Sequence, residues 1–74
     1  MVRTLDDLGP GQEGTITRIA GEDGLSHRLA ELGFTRGVTV RSVRRAPLGD
    51  PIQVRIRGFE LAVRASEARR VELA

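Results

Sequence analysis

The 74-residue sequence contains no cysteine, no tryptophan and no tyrosine. Without cysteine, neither a disulfide bridge nor a thiolate zinc site can brace the fold. A chain this short obtains only about 3–5 kcal/mol of net stability from a single core. The two aromatic residues are Phe34 and Phe59. We therefore expect an aliphatic core and no exposed aromatic side chain that could stack on a nucleic-acid base.

Lysine is also absent, so all twelve basic residues are arginines, and ten acidic residues leave a formal net charge of +2. Phosphate binding needs concentrated positive charge, so this balance favours a salt-bridged surface and no nucleic-acid partner. A nucleic-acid-binding small barrel stays an alternative if one group of arginines shares a face. That group is Arg41, Arg44, Arg45, Arg55 and Arg57.

Long apolar runs are missing as well. No uninterrupted run exceeds a few residues, whereas a bilayer-spanning helix needs roughly 20. The first seven residues carry two acids and no apolar stretch, unlike a secretion signal. We therefore expect a cytoplasmic protein without direct membrane insertion.

Short segments with one apolar face make up most of the chain. Alternation in Ile52-Gln53-Val54-Arg55-Ile56-Arg57 is regular, whereas Ile16 and Ile19 are out of phase and the pattern slips again at Val43. Such slips indicate a bulge or a strand end. Arg57-Gly58 fits the turn of a two-residue hairpin. The predicted strands span residues 12–19, 38–43, 52–57, 59–64 and 71–73.

One helix is predicted within residues 21–33. Asp23 is the expected N-cap and Gly33 the stop signal. Three leucines form one stripe that we expect to pack the helix against the rest of the fold. They are Leu25, Leu29 and Leu32. A single helical turn is expected at residues 66–68, before the last strand.

This order of elements predicts a mainly β fold, with one short helix between the first two of five strands. Each strand buries one face, and closure of the sheet protects its edges. A small SH3-like five-stranded barrel fits best, and an OB-like barrel is the nearest competitor. Residues 1–74 are expected to form a single domain.

Residues for catalysis are scarce. The chain has one histidine, His27, and none of its serines lies in a nucleophile-elbow motif. A filled barrel of this size also lacks room for a deep pocket. We therefore expect no enzymatic activity.

His27 and Glu31 lie four residues apart, on the helix face opposite the leucines. This spacing can present two ligands to one ion, but transition metals take three or four. An exposed pair that stabilises the helix is the simpler interpretation, and we expect no cofactor. A metal-binding or metal-sensing module, for ferrous or another divalent transition-metal ion, stays an alternative. Such a site could be shared between two chains.

Two features favour binding of a protein partner. Arg28 lies beside the leucine stripe, where its guanidinium could pair with a carboxylate or serve as an anchor for a partner. Residues 46–51, Ala-Pro-Leu-Gly-Asp-Pro, predict a stiff loop with a leucine at its tip. A connecting role would suffice for such a loop, but a pre-organised loop also loses little entropy on docking. The predicted contact residues are Arg28, Pro47, Leu48 and Asp50.

Several motifs occur in a distinctive order. The first half contains Leu5-x-x-Leu8-x-x-Gly11, Gly14-x-Ile16 and Arg28-Leu29-x-x-Leu32-Gly33-Phe34-x-x-Gly37. The second half contains Ala46-Pro47-Leu48-Gly49-Asp50-Pro51, an alternating strand, Leu61-Ala62-Val63-Arg64 and Glu67-Ala68. This combination covers nearly the whole chain and resembles the FeoA family of ferrous iron transport accessory proteins.

The resemblance implies an SH3-like barrel in the bacterial cytosol. It also implies a partner, the ferrous iron permease, a membrane protein whose cytosolic part is a GTP-binding domain. The role that the resemblance implies is to assist or regulate that transporter. Its domain also occurs at the C-terminus of metal-dependent repressors, but 74 residues leave no room for a DNA-binding helix-turn-helix, so we expect no complete repressor. The sequence leaves the oligomeric state open.

Overall fold

One antiparallel sheet of six strands organises residues 2–74, which the computed structural model describes. The strands are β1 (Arg3–Thr4), β2 (Glu13–Ile19), β3 (Thr39–Arg45), β4 (Ile52–Ile56), β5 (Phe59–Val63) and β6 (Val71–Leu73). Their order in the sheet is β1-β6-β2-β3-β4-β5. The helices are α1 (Gly24–Glu31) and α2 (Ala65–Ala68), and a 3-10 turn covers Leu5–Asp7.

The predicted secondary structure is confirmed, with one strand added. All five predicted strands are present, α1 lies between β2 and β3, and α2 is the expected turn before the last strand. The added strand, β1, pairs with β6 through Arg3↔Leu73 and Thr4↔Glu72. Two residues are too few to show an alternating pattern in the sequence, so β1 could not be predicted.

β2 bends the sheet into a barrel because it is shared by two halves. Its first three residues pair with β3, whereas the stretch from Ile16 onward pairs with β6. A register shift between Ile16 and Arg18 accounts for the irregular alternation there. A second shift, between Ser42 and Arg44, accounts for the slip at Val43.

The core is aliphatic, as predicted, and includes one aromatic residue. The buried apolar residues are Leu5, Leu8, Ile16, Leu29, Phe34, Val40, Ile52, Val54, Ile56, Val63, Ala68, Val71 and Leu73. Phe59 is 48% exposed, so the expectation of no exposed aromatic side chain is wrong. The reason is its position: Phe59 opens β5, which within residues 2–74 pairs with another strand on one side only.

Helix α1 begins and ends at the predicted signals. The Asp23 carboxylate accepts a hydrogen bond from the Ser26 amide at 3.3 Å, and Gly33 adopts a φ of +110° just beyond the helix. Leu29 is fully buried and Leu25 is half-buried. Leu32 is 39% exposed and packs less than predicted, because it is the C-cap residue where the helix ends.

The turn between β4 and β5 is the predicted two-residue hairpin. Both of its residues have positive φ, +50° at Arg57 and +87° at Gly58. This is the pattern of a type I′ turn, whose twist matches that of the two strands. Within residues 2–74, no helix has the length and apolar character needed to cross a membrane.

Candidate protein-docking surface

Residues 46–51, the docking loop, connect β3 to β4 and are closed by their own backbone. The Ala46 amide donates to the Pro51 carbonyl at 3.0 Å, and the Gly49 amide donates to the Ala46 carbonyl at 2.7 Å. Gly49 has a φ of +89°, which favours glycine at this position. These bonds hold the loop as a tight turn.

Side chains anchor the docking loop at both ends. Arg45 Nη1 lies 3.0 Å from Asp6 Oδ1 and donates to the Gly49 carbonyl at 3.3 Å, and Arg45 Nη2 donates to the Asp6 carbonyl. At the other end, Asp50 Oδ1 accepts from the Ala65 amide at 3.0 Å. The loop is therefore fixed both to the 3-10 turn at Leu5–Asp7 and to α2.

Leu48 lies at the tip of this anchored loop with 97% of its surface exposed, as the sequence predicted. Pro47 beside it is also exposed. A shallow depression next to the loop is lined in part by Pro47, Pro51 and Ala62. Single exposed leucines are common on protein surfaces. What distinguishes Leu48 is the rigid support beneath it, because an ordered apolar tip loses little entropy when a partner covers it.

Arg28 forms the carboxylate pair that was one of its two predicted roles. Its Nη2 donates to Oε2 of Glu67, a side chain that is buried while Arg28 itself is largely exposed. The other oxygen of Glu67 accepts from the Arg64 amide at 3.0 Å. The guanidinium therefore neutralises a buried carboxylate and still faces solvent.

A second ion pair connects the start of α1 to the turn after α2. Arg70 Nη1 lies 2.6 Å from Asp23 Oδ1. This hydrogen bond, helped by the Ser26 amide, holds the pKa of Asp23 below its ordinary value, and the same contact raises the pKa of Arg70. Helix α1 is thus tied to the α2 region near both of its ends.

Helix α2 is the element that relates the predicted contact residues to one another. Arg28 binds Glu67, and Asp50 binds the amide of Ala65, two residues earlier on the same helix. The structure therefore brings Arg28 and Asp50 against one short helix. Pro47 and Leu48 take no part in this hydrogen-bond network and project from the loop.

Sequence reasoning missed three residues that build this surface. Glu67 accepts from the Arg64 amide three positions earlier, but arginine is not among the residues that signal an N-cap in a sequence, so no capping motif marks Glu67. Arg45 and Asp6 lie 39 positions apart in the chain. No local pattern indicates such a pair, because only the tertiary fold brings the two together.

The metal candidates do not form a complete ligand set. His27 and Glu31 are both exposed on α1. Within residues 2–74, no group of three or more histidine and acidic side chains is placed to hold an ion. One imidazole and one carboxylate fall short of the three or four ligands that transition metals take. The residues of a single chain therefore do not fit a closed metal site.

The arginines proposed for nucleic-acid binding are interleaved with acids. In the sheet, Arg41 lies opposite Glu13 on one side and opposite Arg55 on the other, and Arg55 lies opposite Glu60. Arg55 Nη2 is 2.7 Å from Glu60 Oε2, and this contact holds the pKa of Glu60 below its ordinary value. Arg45 forms an ion pair with Asp6. Two of the five arginines, Arg45 and Arg55, are therefore paired with acids, which weakens the concentrated positive charge that phosphate binding needs.

The sequence of this chain matches a known protein family. The family model described as the FeoA domain matches residues 3–74. A relative from Porphyromonas gingivalis, the Fe(2+) transport protein A/Fe(2+) transporter FeoB fusion protein, is 33% identical over 69 residues. That match covers 93% of this chain and 8% of the relative, so the chain spans less than a tenth of that protein's length.

Solved structures agree with the sequence match. The NMR structure of a FeoA-like protein from Clostridium acetobutylicum has a TM-score of 0.92 at 27% identity, covering 99% of this chain and 85% of that one. The crystal structure of Stenotrophomonas maltophilia FeoA complexed with zinc has a TM-score of 0.86 at 33% identity, covering 97% and 89%. That relative is described as a prokaryotic SH3 domain protein, which confirms the SH3-like barrel over the OB-like alternative. The chain belongs to the FeoA domain family.

Proposed function

We propose that this protein is a non-enzymatic accessory protein of ferrous iron transport, which docks on the ferrous iron permease and its cytosolic GTP-binding domain. The relative from Porphyromonas gingivalis carries an Fe(2+) transport protein A and a FeoB transporter in one chain. Such a fusion holds its two parts at high effective concentration. Separate chains of the same two kinds would need a docking surface to achieve the same proximity.

The observation that carries the proposal is the exposure of Leu48 on an anchored loop. Its side chain is 97% exposed, while the backbone beneath it is closed by hydrogen bonds and tied to Asp6 and Ala65. Binding hot spots combine a few apolar or arginine anchors with a surrounding polar rim. A tip that is already ordered before binding meets this description at low entropic cost.

The four predicted contact residues have different roles in this proposal. Leu48 and Pro47 supply the apolar contact. Asp50 positions the docking loop through its bond to the Ala65 amide. Arg28, which stays largely exposed while it neutralises Glu67, offers a charged contact at the rim. Rim charges affect association rate and its salt dependence more than the dissociation rate.

A titration against the permease tests the docking. The protein is added to the purified cytosolic GTP-binding domain with GTP, with GDP and without nucleotide, and then to the intact permease in detergent. Saturable binding to either is expected, and a dependence on nucleotide would place the contact near the nucleotide-responsive surface. Failure to bind both the isolated domain and the intact permease would contradict the proposal.

Matched variants assign the contact to the docking loop. Leu48→Asp should abolish binding, whereas Leu48→Met keeps an apolar side chain and should bind nearly as well as the wild type. Val2→Asp changes another exposed apolar residue, outside the loop, and serves as a control for nonspecific effects. Equal binding by the wild type and Leu48→Asp would rule out the loop as the contact.

Equilibrium dialysis with ferrous or zinc ions tests the metal-binding alternative separately. If docking does not involve a metal, the His27→Ala variant should bind the same amount of ferrous or zinc ion as the wild type. Stoichiometric binding that His27→Ala removes would instead support a metal-sensing module.

A further inference from the structure

The two edges of the sheet differ in a way that the docking proposal does not use. One edge is β1, which has only two residues. The other edge is β5, a five-residue strand whose register with β4 runs without interruption from Ile56↔Phe59 to Ile52↔Val63. Natural proteins block exposed edges with short strands, bulges, proline or charged side chains, above all lysine. β5 has no bulge, proline or lysine, and its one charged residue, Glu60, is paired with Arg55 of its own chain.

The backbone groups that β5 leaves free can be identified from the hairpin. The residues that flank a two-residue turn, Ile56 and Phe59, form a hydrogen-bonded pair, and such pairs alternate along the strand. Phe59, Leu61 and Val63 therefore bond to β4. Glu60 and Ala62 point their amides and carbonyls outward, and neither backbone has a partner elsewhere in residues 2–74. The edge thus offers two donors and two acceptors.

The geometry points to β5 as the pairing strand for a second copy of this chain. In this pairing the two β5 strands run antiparallel, and Leu61 of one copy lies opposite Leu61 of the other. Each Glu60 then lies opposite the other copy's Ala62. These two pairs use all four outward groups of each strand and form four hydrogen bonds. The contact is isologous, so it closes after two chains and produces no fibre.

Pairings centred on either neighbour of Leu61 are less favourable. Centring the pair on Glu60 would place two like charges directly opposite each other, which is destabilising. Centring it on Ala62 would require the backbone of Arg64, but its amide already donates to Glu67 and its carbonyl accepts from the Glu67 and Ala68 amides. The register centred on Leu61 is therefore the one that leaves no free group unpaired.

The charges of the edge also fit this register. Glu60 is already neutralised within its own chain, by Arg55 at 2.7 Å and by the Gln53 amide at 2.6 Å. Arg64, two residues beyond Ala62, comes into the diagonal position next to Glu60 of the other copy. Diagonal neighbours on a sheet are close enough for long side chains to interact. Arg64 therefore supplies an opposite charge beside each Glu60, and this attraction offsets the repulsion between the two Glu60 side chains, which are diagonal neighbours of each other as well.

Pairing also has a geometric consequence for the docking loop, and this consequence alone rests on the proposed function. Ala62 lines the same shallow depression as Pro47 and Pro51. The two-fold axis of an antiparallel pair stands perpendicular to the sheet, so the outer faces of both copies lie on the same side. A dimer would thus present two docking loops on one face and bind bivalently.

Cysteine cross-linking tests the register directly, because the natural chain has no cysteine. In the paired strands Leu61 faces its own copy as a non-hydrogen-bonded pair, with Cα atoms about 4.5 Å apart. This lies within the range that a disulfide spans. Phe59 and its copy are four residues out of register, about 14 Å apart. Under mild oxidation, Leu61→Cys should cross-link to a dimer and Phe59→Cys should remain monomeric.

Oligomeric state without cross-linking supplies the second measurement. The wild type should show a concentration-dependent dimer in sedimentation velocity. Ala62→Pro removes an outward amide without touching the bonds to β4 and should be monomeric, whereas Ala62→Thr keeps the amide and should dimerise. Melting curves check that both variants fold, and the cross-linking result decides alone if Ala62→Pro does not. A monomeric wild type at millimolar concentration, equal cross-linking of both cysteine variants, or a dimer that survives in folded Ala62→Pro would overturn the proposal.

Discussion

Helix α1 and the docking loop are both attached to α2, but they differ in what they bury. Helix α1 places Leu29 in the core and ties Arg28 to the buried Glu67. The docking loop is anchored by hydrogen bonds and an ion pair, and its one leucine is 97% exposed. The buried side of α1 therefore contributes to the stability of the fold, and the exposed loop tip contributes to partner recognition. Substitutions on the inner face of α1 should weaken the fold, and substitutions at the loop tip should weaken binding.

The largest effect is expected at Leu29. Its side chain is 1% exposed, so Leu29→Ala removes buried surface and leaves a cavity. The free energy of unfolding should fall by about 2–5 kcal/mol, measured by urea denaturation. For a chain this small, such a loss approaches the whole net stability. A loss below about 0.5 kcal/mol would show that α1 does not contribute to the core in the way described.

Leu32→Ala is the matched control on the same helix. Leu32 is 39% exposed at the C-cap, so its truncation should cost clearly less than that of Leu29. Equal losses would mean that the end of α1 packs more tightly than the structure shows.

The Arg28–Glu67 pair should give an intermediate and asymmetric effect. Glu67→Ala removes a buried carboxylate that accepts from both Arg28 and the Arg64 amide, and it should cost about 1–3 kcal/mol. Arg28→Ala removes a largely exposed guanidinium, so its loss should be smaller. Thermal melting of both variants measures the asymmetry. If Arg28→Ala cost more, the buried Glu67 carboxylate left without its counter-ion would outweigh the hydrogen bonds that Glu67 itself provides.

A smaller, pH-dependent effect is expected at the start of α1. The hydrogen bond from Arg70 holds the pKa of Asp23 below its ordinary value, so the folded state binds protons less readily than the unfolded state does. The stabilisation is complete above the ordinary carboxyl pKa and is lost as the pH falls through the lower folded value. Asp23→Asn keeps the cap but removes the charge. The wild type should be more stable than this variant at neutral pH, and the difference should vanish in acid. A difference that does not change with pH would exclude the charge as its origin.

Periodicity and turn chemistry were sufficient to predict most of the fold. Alternation identified five strands, and two slips in it marked the register shifts at Ile16–Arg18 and Ser42–Arg44. Asp23 and Gly33 set the limits of α1 because caps are local signals. The prediction that no aromatic side chain is exposed was wrong for Phe59. An apolar residue in phase with Leu61 and Val63 does not reveal that its strand lies at an edge of the sheet.

The docking loop itself could be predicted from the sequence, but the residues that anchor it could not. Two prolines and a glycine around Leu48 were enough to predict an exposed apolar tip, which the structure confirms. The anchors of that tip come from distant parts of the chain. Asp6 reaches Arg45 across 39 positions, and Asp50 reaches the Ala65 amide across 15. Such contacts depend on how the barrel folds, and no local spacing encodes them.

The most direct test of the account is a paired measurement on Leu48→Asp. Its free energy of unfolding and its affinity for the ferrous iron permease are determined beside those of the wild type. The free energy of unfolding should stay within about 0.5 kcal/mol of the wild-type value, as expected for an exposed residue, while binding should be lost. A clearly destabilised fold would show that Leu48 supports the structure, and undiminished binding would show that the docking surface lies elsewhere.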